Sequence, residues 1–124
     1  MKKAFMTEKA PRPVGPYSQI VQAGPFLFLA GQVPLTPEGK MLEGDVSAQT
    51  RQVLENLKAV LQQAGAEMNQ IVKTTIFLAD LCDFETVNKV YTEYFHEPYP
   101  ARSTVEVSKL PKGARLEIDA IAVI

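Results

Sequence analysis

A chain of 124 residues, 46% hydrophobic and 22% charged, has room for one domain over residues 1–124, with the composition of a globular protein and no second core. A net charge of −1 with both signs interspersed argues against a nucleic-acid or anionic-membrane surface. The single cysteine, Cys82, excludes an intramolecular disulfide and fits a reducing compartment.

Met1-Lys2-Lys3-Ala4-Phe5-Met6 runs into Thr7-Glu8-Lys9 instead of an apolar signal core. No stretch approaches the roughly 20 apolar residues of a membrane span. The expectation is a cytoplasmic protein. Lys2, Lys3, Lys9 and Arg12 read as solvated charges, and Pro11, Pro13, Gly15 and Pro16 impose an irregular loop. Ser18 to Ala23 and Phe26 to Ala30 read as strands joined at Gly24-Pro25, the second ending at Gly31. Thr36-Pro37-Glu38-Gly39 is a turn.

The first helix begins at Asp45 or Ser47, either of which serves as a cap. Val46, Thr50, Val53, Leu54, Leu57, Val60, Leu61 and Ala64 recur at helical spacing, with Gln49 on the polar side and Gly65 as the stop. Ile71 to Ala79 is rich in β-branched residues and reads as a strand. Cys82 follows beside Asp80 and Asp83, with no base to activate it, and reads as a packing residue. Asp83 is placed to cap a second helix, in which Phe84, Val87, Asn88, Tyr91 and Phe95 share a face; Pro98 and Pro100 end it. Strands near Ala101 to Val107 and Arg115 to Ile124 flank a turn at Pro111-Lys112-Gly113.

The order β-β-β-α-β-α-β-β is α+β, with both helices on one face of the sheet. That leaves a deficit of cover. In the last strand Leu116, Ile118, Ala120 and Ala122 point one way, and Ile121 and Val123 the other. The strand from Ile71 alternates likewise, with Ile71 and Phe77 on one side and Val72, Ile76 and Leu78 on the other. Strands apolar on both faces are buried on both. Two helices cover one face, so the other needs another copy of the chain or the N-terminal loop.

Common catalytic sets are missing. His96 is the one histidine, lies in a loop without a nucleophile motif, and reads as a surface residue; a histidine metal cluster is excluded within one chain. No glycine-rich phosphate loop is present. Arg102 at the mouth of a strand reads equally as structural or functional. Glu117 and Asp119 share one face of the terminal strand, either as charges that guard an edge or as a site.

Pro100-Ala101-Arg102-Ser103-Thr104-Val105-Glu106-Val107, Leu110-Pro111-Lys112 and Glu117-Ile118-Asp119-Ala120-Ile121-Ala122 closely resemble the C-terminal signature of the reactive intermediate (imine) deaminase family. Gly15-Pro16-Tyr17-Ser18, Gly31-Gln32-Val33-Pro34, Asp80-Leu81 and Val87-Asn88 fall where that family has similar runs, so the likeness spans the chain. The resemblance implies a chorismate-mutase-like α+β fold, with a mixed sheet and two long helices on one face, assembled as a homotrimer with sites between subunits. It implies hydrolysis of 2-imino acids to 2-oxo acids and ammonia, without metal or cofactor. By position, it makes Arg102 the carboxylate anchor and Glu117 the acid beside the attacking water, with Tyr17, Gly31, Asn88 and Thr104 completing the substrate site.

A guanidinium fork suits a planar carboxylate better than a lysine does. A carboxylate orients a water and takes its proton, and a nearby Arg102 would keep Glu117 ionised. Gly31 would admit the ligand close to the backbone. Ala30 and Thr104 depart from a serine and a cysteine frequent in the family. Two rivals remain: a non-catalytic sensor of carboxylate metabolites using the same cleft, and an endoribonuclease or translation inhibitor, which the charge disfavours.

Overall fold

In the computed structural model, which describes all 124 residues, the chain runs β1 (Lys2–Phe5), β2 (Ile20–Ala23), β3 (Phe26–Gln32), α1 (Val46–Gln63), β4 (Ile71–Leu78), α2 (Phe84–Tyr94), β5 (Ala101–Glu106) and β6 (Leu116–Val123). The expected order of strands and helices is met, with β1 formed by the residues read as solvated charges. Lys2 to Phe5 pair antiparallel with Ala23 to Ile20, because backbone pairing needs no apolar signal in the side chains. No helix is long and apolar enough to cross a membrane.

The six strands form one sheet in the order β1-β2-β3-β6-β4-β5. Only β4 and β5 pair in parallel. Parallel neighbours need a crossover. The β4–α2–β5 crossover supplies one helix, and the β3–α1–β4 connection, which straddles β6, supplies the other. Both helices contribute to a core with Ile20, Leu27, Leu29, Ile76, Leu116 and Ile118 from the sheet.

Helix α1 starts at Asp45, whose carboxylate accepts from Ala48 N at 2.9 Å, and not at Ser47. Val53, Leu54, Leu57 and Leu61 are fully buried, each side chain stabilising the fold by about 1.5–3 kcal/mol. Gly65 ends the helix in the left-handed region at φ 78°. Gln49 departs from the polar side assigned to it: it is buried, and its amide donates to Leu42 O at 3.1 Å. Asp83 precedes α2 but gives no side-chain cap; Arg115 holds both its carboxylate oxygens at 3.1 Å.

The alternation of β6 is as expected, with Leu116, Ile118, Ala120 and Ala122 buried beneath the helices. In β4 a bulge between Ile71 and Lys73 reverses the expected parity of the first two residues. Ile71 joins the helix-side core with Ile76 and Leu78, and Val72 is exposed. The other face carries Phe26, Phe28, Phe77, Val105, Ile121 and Val123. Phe26 and Phe28 are each 45% exposed, so nothing within the chain covers them. The N-terminal loop goes elsewhere: Ala10 enters the helix-side core, and buried Gln19 ties the loop down through Thr7 and Pro11.

Candidate functional site: an arginine cleft and a carboxylate on opposite faces

Arg102 lies on β5 in register with Thr74 of β4, and therefore on the helix side of the sheet. Its guanidinium carbon sits 4.9 Å from the ring centroid of Tyr91 and 5.5 Å from that of Phe84, both on α2. Neither ion pair in the chain involves it, since Arg51 pairs with Glu93 and Arg115 with Asp83. Ring faces attract a guanidinium without using its N–H donors, so the fork stays available to a ligand. Arg102 opens into a cleft of about 560 Å³ lined also by Asn88, Tyr91, Thr92, Tyr99 and Pro100.

Thr104 follows on the same side of β5, opposite Ile76. Its hydroxyl is buried and has no hydrogen-bond partner in the chain. Leaving such a group unpaired costs about 1–3 kcal/mol. It is an unsatisfied donor and acceptor beside the arginine.

Glu117 is in register with Phe77, which is in register with Val105, placing it on the open face. Arg102 lies two strands away on the opposite face. Spacings of about 4.8 Å between strands and about 3.3 Å per residue put their backbones on the order of 14 Å apart. One chain therefore does not bring the anchor and the acid together. Burial first, and Asp119 second, push the Glu117 carboxyl above the usual glutamate range. The expectation that Arg102 keeps it ionised fails within the chain, because the guanidinium faces away through the sheet.

Gly31 does not end its strand. β3 continues to Gln32 through a bulge in which Ala30 and Gly31 together stand opposite Asp119. A Cβ at Gly31 would overlap the Glu117 carboxylate, with Cδ only 2.8 Å away. The glycine thus makes room for the acid where it now lies. Ala30 N donates to Gln19 O at 3.0 Å, which extends the β2–β3 ladder and sets the loop bearing Tyr17 at this end of β3. Tyr17 is 54% exposed.

Arg102, Asn88 and Thr104 thus gather on the helix side, while Gly31 and Glu117 meet on the open face with Tyr17 near their end of the sheet. Phe84 and Tyr91, which hold the arginine, were not among the expected site residues. Their shared helical face with Asn88 was the signal for them, and the rank of α2 alongside β5 was what it lacked. No three His, Cys, Asp or Glu side chains converge as a metal-ligating group. His96 is exposed, as expected. Cys82 is exposed too, contrary to the packing role expected of it. Its thiol is pushed up by hydrogen bonding to Asp80 and by the charges of Asp80, Asp83 and Glu106, which keeps it a poor nucleophile.

The family model described as Endoribonuclease L-PSP matches residues 7–124. A RutC family protein of Pyrococcus horikoshii is 54% identical over 123 residues, covering 98% of both chains. The 2-iminobutanoate/2-iminopropanoate deaminase of Salmonella typhimurium is 49% identical over 126 residues, covering 99% of this chain and 98% of that one. Among solved structures, E. coli TdcF with bound serine aligns with a TM-score of 0.93 at 45% identity, covering 98% of each chain. Matches of this length and identity, on an α+β sheet of the same build, make the chain a member of the Endoribonuclease L-PSP family, the YjgF/RutC/Rid proteins that include the reactive intermediate deaminases.

Proposed function

We propose that this protein hydrolyses 2-imino acids, with 2-iminobutanoate and 2-iminopropanoate as the expected substrates, to 2-oxo acids and ammonia. The observation that carries the reading is Arg102, held on two aromatic rings in a cleft with no ion-pair partner. That arrangement suits capture of a small planar carboxylate. The relative with bound serine and the Salmonella deaminase support this ligand class and this chemistry.

In the proposed reaction the Arg102 fork takes the substrate carboxylate, and Asn88 and the Thr104 hydroxyl supply further polar contacts. A water adds to the protonated imine carbon and passes a proton to Glu117. The carbinolamine then collapses: Glu117 returns that proton to the nitrogen and takes the hydroxyl proton as the C–N bond breaks, so the oxygen becomes the carbonyl of the 2-oxo acid and the nitrogen leaves as ammonia, which carries the last proton away as ammonium. Burial and Asp119 raise the proton affinity of Glu117 within one chain, and a neighbour's Arg102 in a shared cleft favours its ionised form, so the carboxylate is available to take the proton.

Because Arg102 and Glu117 occupy opposite faces of one sheet, a cleft using both draws them from two chains. The open face with Phe26 and Phe28 offers the surface for such assembly. We therefore propose a homotrimer of chorismate-mutase-like subunits with the site between neighbours, Tyr17, Gly31 and Glu117 coming from one and Arg102, Asn88 and Thr104 from the next.

The test is release of ammonia and 2-oxo acid from 2-iminobutanoate and 2-iminopropanoate generated in situ, compared with buffer alone. Faster release with protein is the expected result. Binding of 2-oxobutanoate with no acceleration would favour a metabolite sensor. Cleavage of single-stranded RNA that Arg102→Ala abolishes would favour the ribonuclease named in the family description.

A further inference from the structure

We propose that Tyr91, locked by Thr74, is a positioning residue whose ring sets the orientation in which Arg102 presents its fork to the ligand carboxylate. This deepens the reading above and rests on Arg102 being the carboxylate anchor.

Three links close into one rigid unit. Arg102 and Thr74 are register partners on adjacent strands. The Thr74 hydroxyl and the Tyr91 hydroxyl are hydrogen-bonded at 2.8 Å. The Tyr91 ring then returns to the Arg102 guanidinium at 4.9 Å. Thr74 is fully buried and Tyr91 nearly so. Phe95 stacks on the Tyr91 ring at 4.2 Å with an interplanar angle of 29°, fixing it from a second direction. The ring that carries the guanidinium is thus held at its hydroxyl and by stacking, and does not follow solvent-driven motion of the arginine.

The chemical advantage lies in the type of contact. A carboxylate partner would orient Arg102 by occupying the donors that the ligand needs, and would cancel the charge that attracts it. An aromatic ring orients the guanidinium while leaving its N–H edges free. Burial pushes the Tyr91 hydroxyl up, so the group stays neutral and puts no competing anion beside the arginine. The simpler account is that Thr74 and Tyr91 only satisfy each other's buried hydroxyls; that account predicts lost stability and nothing else.

Full-length Tyr91→Leu, Tyr91→Phe, Thr74→Val and Arg102→Lys are to be compared by 2-oxobutanoate titration, imine turnover and thermal melting. Tyr91→Leu should raise the Kd for 2-oxobutanoate and the KM for imine by about tenfold, the upper cost of ordering one long side chain on binding, with kcat within about twofold of the parent. Tyr91→Phe keeps the ring and should recover most of that loss, leaving a shift of about threefold that Thr74→Val reproduces and the double variant does not enlarge. Lowered Tm with parental Kd and KM in Tyr91→Leu would overturn the proposal. Should Tyr91→Leu fail to fold, Tyr91→Phe and Thr74→Val decide: parental Kd in both overturns it. If Arg102→Lys also leaves Kd unchanged, the fault lies in the carboxylate-anchor reading itself; if only Arg102→Lys weakens binding, the anchor stands and Tyr91 is structural.

Discussion

The Glu117 carboxylate lies in the space that a side chain on Gly31 would fill, so one residue without a Cβ decides where the acid of the neighbouring strand is held. The bulge that doubles Ala30 and Gly31 opposite Asp119 brings the glycine to that point.

Gly31→Ala should therefore displace the carboxyl end of Glu117, and should destabilise the fold by only about 1 kcal/mol, the low end of overpacking, because a long side chain can move aside. The cause is readable from a double-mutant cycle. In a Glu117→Ala background the same Gly31→Ala change should cost far less, and denaturant melts of the four proteins measure the coupling. Equal penalties in both backgrounds would place the strain in the backbone instead.

Glu117→Gln should slow imine hydrolysis by about 10²-fold while 2-oxobutanoate binds about as in the parent, because the amide still holds a water but takes no proton. Equal turnover by parent and variant would show that another group accepts the proton.

The raised proton affinity of Glu117 also has a stability consequence with a definite sign. A carboxyl raised in the folded state favours its protonated form there. The stability it lends is whole below the unfolded value of about 4.3 and is lost as pH rises through the folded value. Glu117→Gln removes that loss. The Tm difference, variant minus parent, should be near zero in acid below the ordinary glutamate range and should become more positive toward neutral pH. A difference independent of pH would mean that another charge, such as a neighbour's Arg102 in the proposed shared cleft, cancels the raised affinity.

Asp119 is the second cause of the Glu117 shift, after burial. Since the proposed base works only when ionised, turnover should fall as pH drops through its raised value. Asp119→Asn should move that acidic limb of the kcat profile to lower pH. An unmoved limb would assign it to a different group.

The proposed site, divided between two faces, predicts complementation. Arg102→Ala and Glu117→Gln are each expected to be nearly inactive. Co-refolding them in equal amounts should restore activity in roughly a quarter of the clefts, the random outcome for a closed ring of three in which each cleft takes one residue from each neighbour. Phe28→Asp, which charges the open face, should yield smaller species in sedimentation and should abolish the recovery. Activity in a well-folded monomer would remove the shared cleft.

Much of the fold was legible in one dimension because its signals are local. The period of Val53, Leu54, Leu57 and Leu61, the cap at Asp45 and the stop at Gly65 define α1 without reference to the rest of the chain. The alternation of β6 likewise identified a strand with two apolar faces, and the C-terminal motif identified the family. Tertiary structure decided what depends on partners distant in sequence. Arg115 draws Asp83 away from its capping role, and strand pairing recruits Lys2 to Phe5 into β1. Bulges reverse the parity of Ile71 and Val72 and bring Gly31 against Glu117. Above all, the family resemblance leads to the expectation of Arg102 and Glu117 in one site, whereas the register of β5, β4 and β6 puts them on opposite faces of the sheet. A strand's side chains alternate with a period of two, so a single step of register or one inserted residue selects the face, and only the paired neighbours determine that step.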